Sequence, residues 1–181
     1  MLVGVVGPSG AGKDTLMDGA RAALAGDSGF LFVRRVITRP AGAGGEDHEP
    51  ATVAEFGALR EAGRLALWWQ AHGLHYGIPA TIGAEIAAGR VVVANLSRSV
   101  LAEAVARFPL LVLHITAPAP LLAARLAARG REEAADVAAR LAREATLPPG
   151  LATRQVMNDG SVADGVACVV AVLRQAAIRP C

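Results

Sequence analysis

The chain has 181 residues, 53% of them apolar and 19% charged, which suits one compact α/β domain and excludes a disordered chain. A formal charge of +2 gives no electrostatic case for nucleic acid, and no apolar run is long enough to span a bilayer. Cys168 and Cys181 form neither a disulfide framework nor a metal-ligand spacing, so a reducing cytoplasm is expected.

In chain order, Leu2–Val6 is a short apolar run without a basic leader, and it reads as a buried strand rather than an export signal. It feeds a glycine-rich loop and then a helical pattern over 14–24. Residues 41–45 (Ala-Gly-Ala-Gly-Gly) read as a substrate loop. Helices are expected at 53–62 and 82–88, each followed by a Gly that suits a helix end. Buried strands follow at 91–94 and 110–115. A proline-opened helix covers 118–128 and another 134–145; a short strand at 156–157 and a helix over 162–177 complete the pattern. Strands alternating with helices predict a three-layer α/β fold whose central parallel sheet binds ligands at the strands' carboxyl ends.

The segment Gly7-Pro8-Ser9-Gly10-Ala11-Gly12-Lys13-Asp14-Thr15 is a phosphate-binding loop. Its glycines let successive N–H groups point into one cavity, and the helix that follows adds its positive end. Lys13 is expected to reach the β- and γ-phosphates of a nucleoside triphosphate, ATP with Mg²⁺. The residue after this lysine is usually Ser or Thr, whose hydroxyl binds the metal; here it is Asp14, followed by Thr15. Three roles stay open for Asp14: a metal ligand, a group facing the acceptor, or a helix N-terminal acid favoured by the dipole.

Arginines cluster at Arg34, Arg35 and Arg39, and again between residues 125 and 143. The planar guanidinium matches phosphate oxygens, although such side chains also serve plain solubility. Trp68 and Trp69 read as packing residues, and His114, inside an apolar strand, as structural.

Beyond the loop the chain resembles guanylate kinases over nearly its whole length. The matching segments are the loop; Val36-Ile37-Thr38-Arg39-Pro40 with Glu46; Phe56 to Gly63; and Trp68 with His72-Gly73-Leu74-His75-Tyr76-Gly77. The arginines from Arg125 to Arg143, and Asn158-Asp159, complete the match. The resemblance implies a core (1–33, 90–120, 146–181), an acceptor-binding region (34–89) and an arginine lid (about 121–145). It also implies that Arg125 and Asn158 flank the adenine and that Arg129 and Arg140 act on the migrating phosphoryl group. The departures fall at the acceptor. Leu67 stands where that family's glutamate reads guanine, Ile78 where a Ser or Thr follows Tyr-Gly, and Asn95 and Ser97 where two aspartates are usual. Aliphatic groups in place of hydrogen-bonding ones make guanine a poor acceptor.

This combination resembles a sister family, the ribose 1,5-bisphosphate phosphokinases of phosphonate catabolism. The resemblance lies in Gly12-Lys13-Asp14-Thr15, in Thr38-Arg39-Pro40 leading to Gly44-Gly45-Glu46-Asp47-His48, in the Trp68 to Ile78 segment, and in Asn95-Leu96-Ser97-Arg98. It implies transfer of the γ-phosphoryl group of ATP to the 1-phosphate of ribose 1,5-bisphosphate, giving 5-phosphoribosyl diphosphate. Arg39 is the leading phosphate anchor, ahead of Arg34, Arg35 and Arg98. Glu46, Asp47, His48, His75, Tyr76, Asn95 and Ser97 are the other expected acceptor contacts. A guanylate or other nucleoside monophosphate kinase is the alternative. Monomer and homodimer are both open.

Overall fold

The computed structural model describes residues 1–42, 46–128 and 147–178. Five parallel strands form its central sheet: β1 (Leu2–Val6), β2 (Phe30–Phe32), β7 (Val91–Asn95), β8 (Leu110–Thr116) and β9 (Thr153–Met157), in the order β2-β7-β1-β8-β9. Every residue of β1 and β7 is buried, because helices or a second sheet cover both faces, and this gives those strands their unbroken apolar sequence. The strand expected at 156–157 extends to five residues, and β2 was not expected at all.

One face packs on α1 (Lys13–Ala23), α5 (Ala119–Ala127) and the long C-terminal helix α6 (Val162–Ile178), through Leu16, Met17, Ala20, Leu122, Val169 and Leu173. The other face packs on α3 (Ile82–Ala87), on α4 (Leu101–Arg107) and on part of a second sheet. That sheet has four strands, none of them expected: β3 (Val36–Ile37), β4 (Glu49–Pro50), β5 (Leu65–Ala71) and β6 (Leu74–Pro79), in the order β4-β3-β6-β5. The last helix, α2 (Val53–Glu61), starts at a reciprocal capping box between Thr52 and Glu55 and seats Phe56 against Val36 and Leu65. The helix expected over 134–145 lies outside the described residues.

β5 and β6 meet through His72-Gly73, both at positive φ (51° and 73°), as a tight type I′ hairpin requires. The pairing sets Leu67 opposite Ile78 and Trp69 opposite Tyr76. Leu67 and Ile78 have 0% exposure and pack among Leu2, Val92 and Ala94 of the central sheet. These two aliphatic residues therefore glue the small sheet to the large one and do not face an acceptor.

Candidate active site

The phosphate-binding loop leaves β1 between two strand ends, where Val5 is in register with Asn95 and Val6 with His114. A Cβ at Gly7 would overlap the Ile115 carbonyl, so only glycine lets the chain turn there. Gly12 caps α1 at φ 82° and makes no side-chain cap hydrogen bond, and a helix start of this kind favours an anion. The ammonium of Lys13 lies across the loop, donating to the carbonyls of Gly7 at 2.8 Å and Pro8 at 3.0 Å.

The loop forms one wall of a cavity of about 350 Å³, and the small sheet forms the other. Of the expected site residues, Gly7, Ser9, Gly10, Gly12, Lys13, Asp14, Thr15, Arg39, Glu46, Tyr76, Asn95 and Ser97 line it. Arg35, a weaker candidate, lines it too, as do Trp69, expected only to pack, and His72, to which no role was given. His72 occupies the hairpin turn in a left-handed conformation uncommon for a side-chain-bearing residue. That strained position is a signal the sequence did not display.

A polar chain crosses the cavity. The Asn95 amide, at the carboxyl end of β7, donates to Asp14 Oδ1 at 3.3 Å and to Glu46 Oε2 at 3.4 Å. Glu46 Oε1 accepts from Arg35 Nε at 2.7 Å and also pairs with Arg35 Nη2. The Arg35 guanidinium lies 4.9 Å from the Tyr76 ring centre and 5.6 Å from that of Trp69. Its side chain is 12% exposed, so the cation is largely withdrawn from water and both rings and carboxylate compensate it.

Other expected residues lie outside the cavity lining. His48 is buried; its Nδ1 lies 3.2 Å from Arg39 Nη2 and 3.1 Å from the Glu46 carbonyl, and its Nε2 lies 3.1 Å from the Arg39 carbonyl. These contacts tie the ring to Arg39 and to the Glu46 backbone, outside the cavity lining. Asp47 pairs with Arg34 at 3.0 Å in solvent. His75 points to the opposite face of β6 from Tyr76, with its ring 5.4 Å from Phe56, as strand alternation demands. Asn158 is buried beneath the loop and donates to the Ala11 carbonyl at 2.8 Å, so it supports the loop from behind. Arg125 approaches the Gly10 carbonyl at 3.5 Å. Pro8 and Ala11 are buried in the loop, and Arg98 also lies outside the lining. Arg129 and Arg140 fall outside the described residues.

His114 sits half-buried at the end of β8. Burial, followed by the positive charges of Arg98 and Lys13, holds its pKa below the usual imidazole value. Among the described residues no cluster of three or more His, Cys, Asp or Glu forms a metal cage. None of their helices is long and apolar enough to cross a membrane.

No protein-family model matches the chain. It is 49% identical over 179 residues to a ribose 1,5-bisphosphate phosphokinase of Pseudofrankia inefficax, a match covering 98% of this chain and 93% of that protein. A protein of the same name from Rhizobium etli is 47% identical over 96% of this chain and 89% of its own length. The chain belongs to the ribose 1,5-bisphosphate phosphokinase family. As a member of this phosphokinase family it is a phosphotransferase, in keeping with its loop and with the resemblance carried by its motifs. Not all relatives are of its size: a bifunctional ribose 1,5-bisphosphokinase-thymidine phosphorylase of Cupriavidus necator is 51% identical, but the chain spans only 28% of its length. Among solved structures, guanylate kinase from Anaplasma phagocytophilum superposes with a TM-score of 0.66 at 16% identity, over 99% of this chain and 88% of that one. That likeness fixes the phosphokinase's fold as the P-loop NTPase type.

Proposed function

We propose that this chain transfers the γ-phosphoryl group of ATP to the 1-phosphate of ribose 1,5-bisphosphate, forming 5-phosphoribosyl diphosphate. The observation that carries this reading is the shared cavity. One wall is a phosphate-binding loop, the other holds Arg35, Arg39 and Tyr76, Ser97 joins them from beyond the end of β7, and neither guanine-reading position opens into the cavity.

The acceptor oxygen already belongs to an ionised phosphate, so the chemistry needs no strong base. Catalysis then rests on in-line positioning and on cations that offset charge on the migrating group. Lys13 exchanges its loop carbonyls for the nucleotide's β- and γ-phosphates, and the N-terminal end of α1 faces the remaining oxygens. Arg39, propped by His48, is the acceptor's phosphate anchor. Ser97 and Tyr76 offer hydroxyls to the sugar. Arg129 and Arg140 are proposed to close over the transferred group. Arg125, Asn158, Asp47 and His75 take supporting places rather than direct contacts in this reading.

The residues fit a magnesium ion. Mg²⁺ keeps waters and substrate phosphates and needs only one or two carboxylates, and Asp14 beside Thr15 supplies such a donor set on the cavity wall. When bound, the ion offsets phosphate charge and orients the γ-phosphoryl group. The free, exposed thiol of Cys168 accords with a cytoplasmic setting.

Phosphorus NMR of the protein with ATP, magnesium and ribose 1,5-bisphosphate tests the proposal, with GMP and dGMP in parallel tubes. A new diphosphate signal in the sugar tube alone is the expected result. Faster phosphorylation of GMP overturns it in favour of a nucleoside monophosphate kinase.

A further inference from the structure

We propose that Asn95 is a positioning residue that ties the phosphate-binding loop to the acceptor sheet, so that a nucleotide at the loop is registered at Trp69. The inference rests on the nucleotide-binding reading of the loop, with Asp14 toward the magnesium ion, but not on the identity of the acceptor.

A primary amide has two hydrogens, and both of these go to carboxylates on separate parts of the fold. One is Asp14, in the first turn of α1; the other is Glu46, in the segment entering β4. Reversing the amide would aim its carbonyl oxygen at both carboxylates, so the surroundings dictate its orientation. An acid of the same shape would instead gather three carboxylates around one point. Neutral donation is what lets Asp14 and Glu46 share the site.

From Glu46 the connection continues without a gap. Both Arg35 donors, Nε and Nη2, reach Glu46 Oε1, and the guanidinium covers Tyr76 and Trp69. These two rings are themselves stacked. Each residue in this series has one neighbour toward the loop and one toward the sheet.

The Asn95 contacts, at 3.3 and 3.4 Å, lie at the long end of hydrogen bonding. They are therefore the part of the series that yields first. A nucleotide and its cation draw on the Asp14 carboxylate, in competition with Asn95. The amide is then left to Glu46, the Glu46–Arg35 pair shifts with it, and the electrostatic field at the Trp69 indole changes.

Trp69 fluorescence reads this directly. Trp68 is 40% exposed and covered by Arg60, away from the cavity, so Trp68→Phe leaves Trp69 as the sole indole. This protein is titrated with magnesium and a non-hydrolysable ATP analogue, with calorimetry in parallel. The Trp69 emission is expected to change on binding. Adding Asn95→Ala should remove about two-thirds or more of that change while analogue affinity stays within about threefold. Glu46→Gln, at a less buried position, should have the same effect, and the double variant should lose no more than either single one. A purely structural Asn95 would lower the melting temperature and leave the emission response intact, which overturns the proposal. So does a silent Trp69 when calorimetry shows the analogue bound. Absence of any binding heat in the parent protein defeats the loop reading itself, and this inference with it.

Discussion

Trp69 and Tyr76 stand face to face across the β5–β6 hairpin, with ring centres 5.5 Å apart and planes within 6° of parallel. Strand pairing places them directly opposite, and the Arg35 cation lies over both. The pair is at once part of the core and part of the cavity wall, so it fixes the shape of the cavity's small-sheet side. Replacing Trp69 by Leu removes buried aromatic volume and one face of the Arg35 shelf, and should cost about 2–4 kcal/mol of stability. The acceptor KM should rise about tenfold with the nucleotide KM unchanged. Steady-state kinetics and a denaturant melt check both. Trp68→Phe, at an exposed position, should stay within about 0.5 kcal/mol of the parent.

Lys13 supplies a cation at the loop's phosphate cradle, where it donates to the carbonyls of Gly7 and Pro8. Lys13→Ala should lower kcat by about 10²- to 10³-fold, the usual loss when one charge-stabilising donor is removed. Stability should change by about 1 kcal/mol or less. A coupled assay and a thermal melt separate the two effects. Turnover unaffected by this change would remove the loop from the mechanism.

His114 predicts a pH dependence of stability. Burial and the nearby positive charges of Arg98 and Lys13 depress its pKa below the ordinary imidazole value of 6.5. Above that value the imidazole is neutral in both states and contributes no pH dependence. As pH falls below 6.5, the unfolded chain takes up the proton before the folded one does, so stability declines until the folded pKa is passed. His114→Gln should remove this share of the acid-side decline. Urea melts between pH 8 and about pH 5 should show a flatter profile for the variant.

Much of the central fold was legible because burial on both faces leaves a continuous apolar signature. Leu2–Val6 and Val91–Asn95 carry it, and the glycine loop between strand and helix confirms the order. The small sheet left no such trace. β3 and β4 have two residues each, and β3 gains its partner β6 from about forty residues further along the chain, so local pattern has little to register. The same cause hid the site's arrangement. Arg34 and Arg35 are adjacent and identical in type, yet in the connection between β2 and β3 one side chain is 54% exposed and the other, packed on Trp69 and Tyr76, only 12%. Likewise His75 and Tyr76 are neighbours whose side chains part to opposite faces. The loop's chemistry depends on contiguous residues and could be read directly; the small-sheet wall depends on which way each residue's side chain turns.

Asp14 tests the metal reading. It lines the cavity beside Thr15 and accepts from Asn95. Asp14→Asn keeps the shape and removes the charge. If the carboxylate helps to hold magnesium, the metal concentration for half-maximal rate should rise about fivefold or more. An unchanged magnesium titration with a raised acceptor KM would assign the residue to the acceptor. No kinetic change with a small loss of stability would leave only the favourable placement of an acid at a helix start. The three roles left open by the sequence thus give three distinct outcomes.

Leu67 provides the test of whether guanine recognition can be restored by a single exchange. If this position faced the acceptor, Leu67→Glu would supply the carboxylate that guanylate kinases are expected to have there. In this fold the side chain has 0% exposure and lies against Ile78 and the strands of the central sheet. A carboxylate introduced there would be fully buried in a largely apolar cluster, and it should destabilise the protein by about 3–5 kcal/mol. GMP phosphorylation should not appear. Leu67→Met, which conserves volume and polarity, should cost less than about 1.5 kcal/mol. Denaturant melts of both variants, with a GMP assay on whatever fraction remains folded, decide the matter: a stable Leu67→Glu protein that phosphorylates GMP would mean that this position opens toward the acceptor.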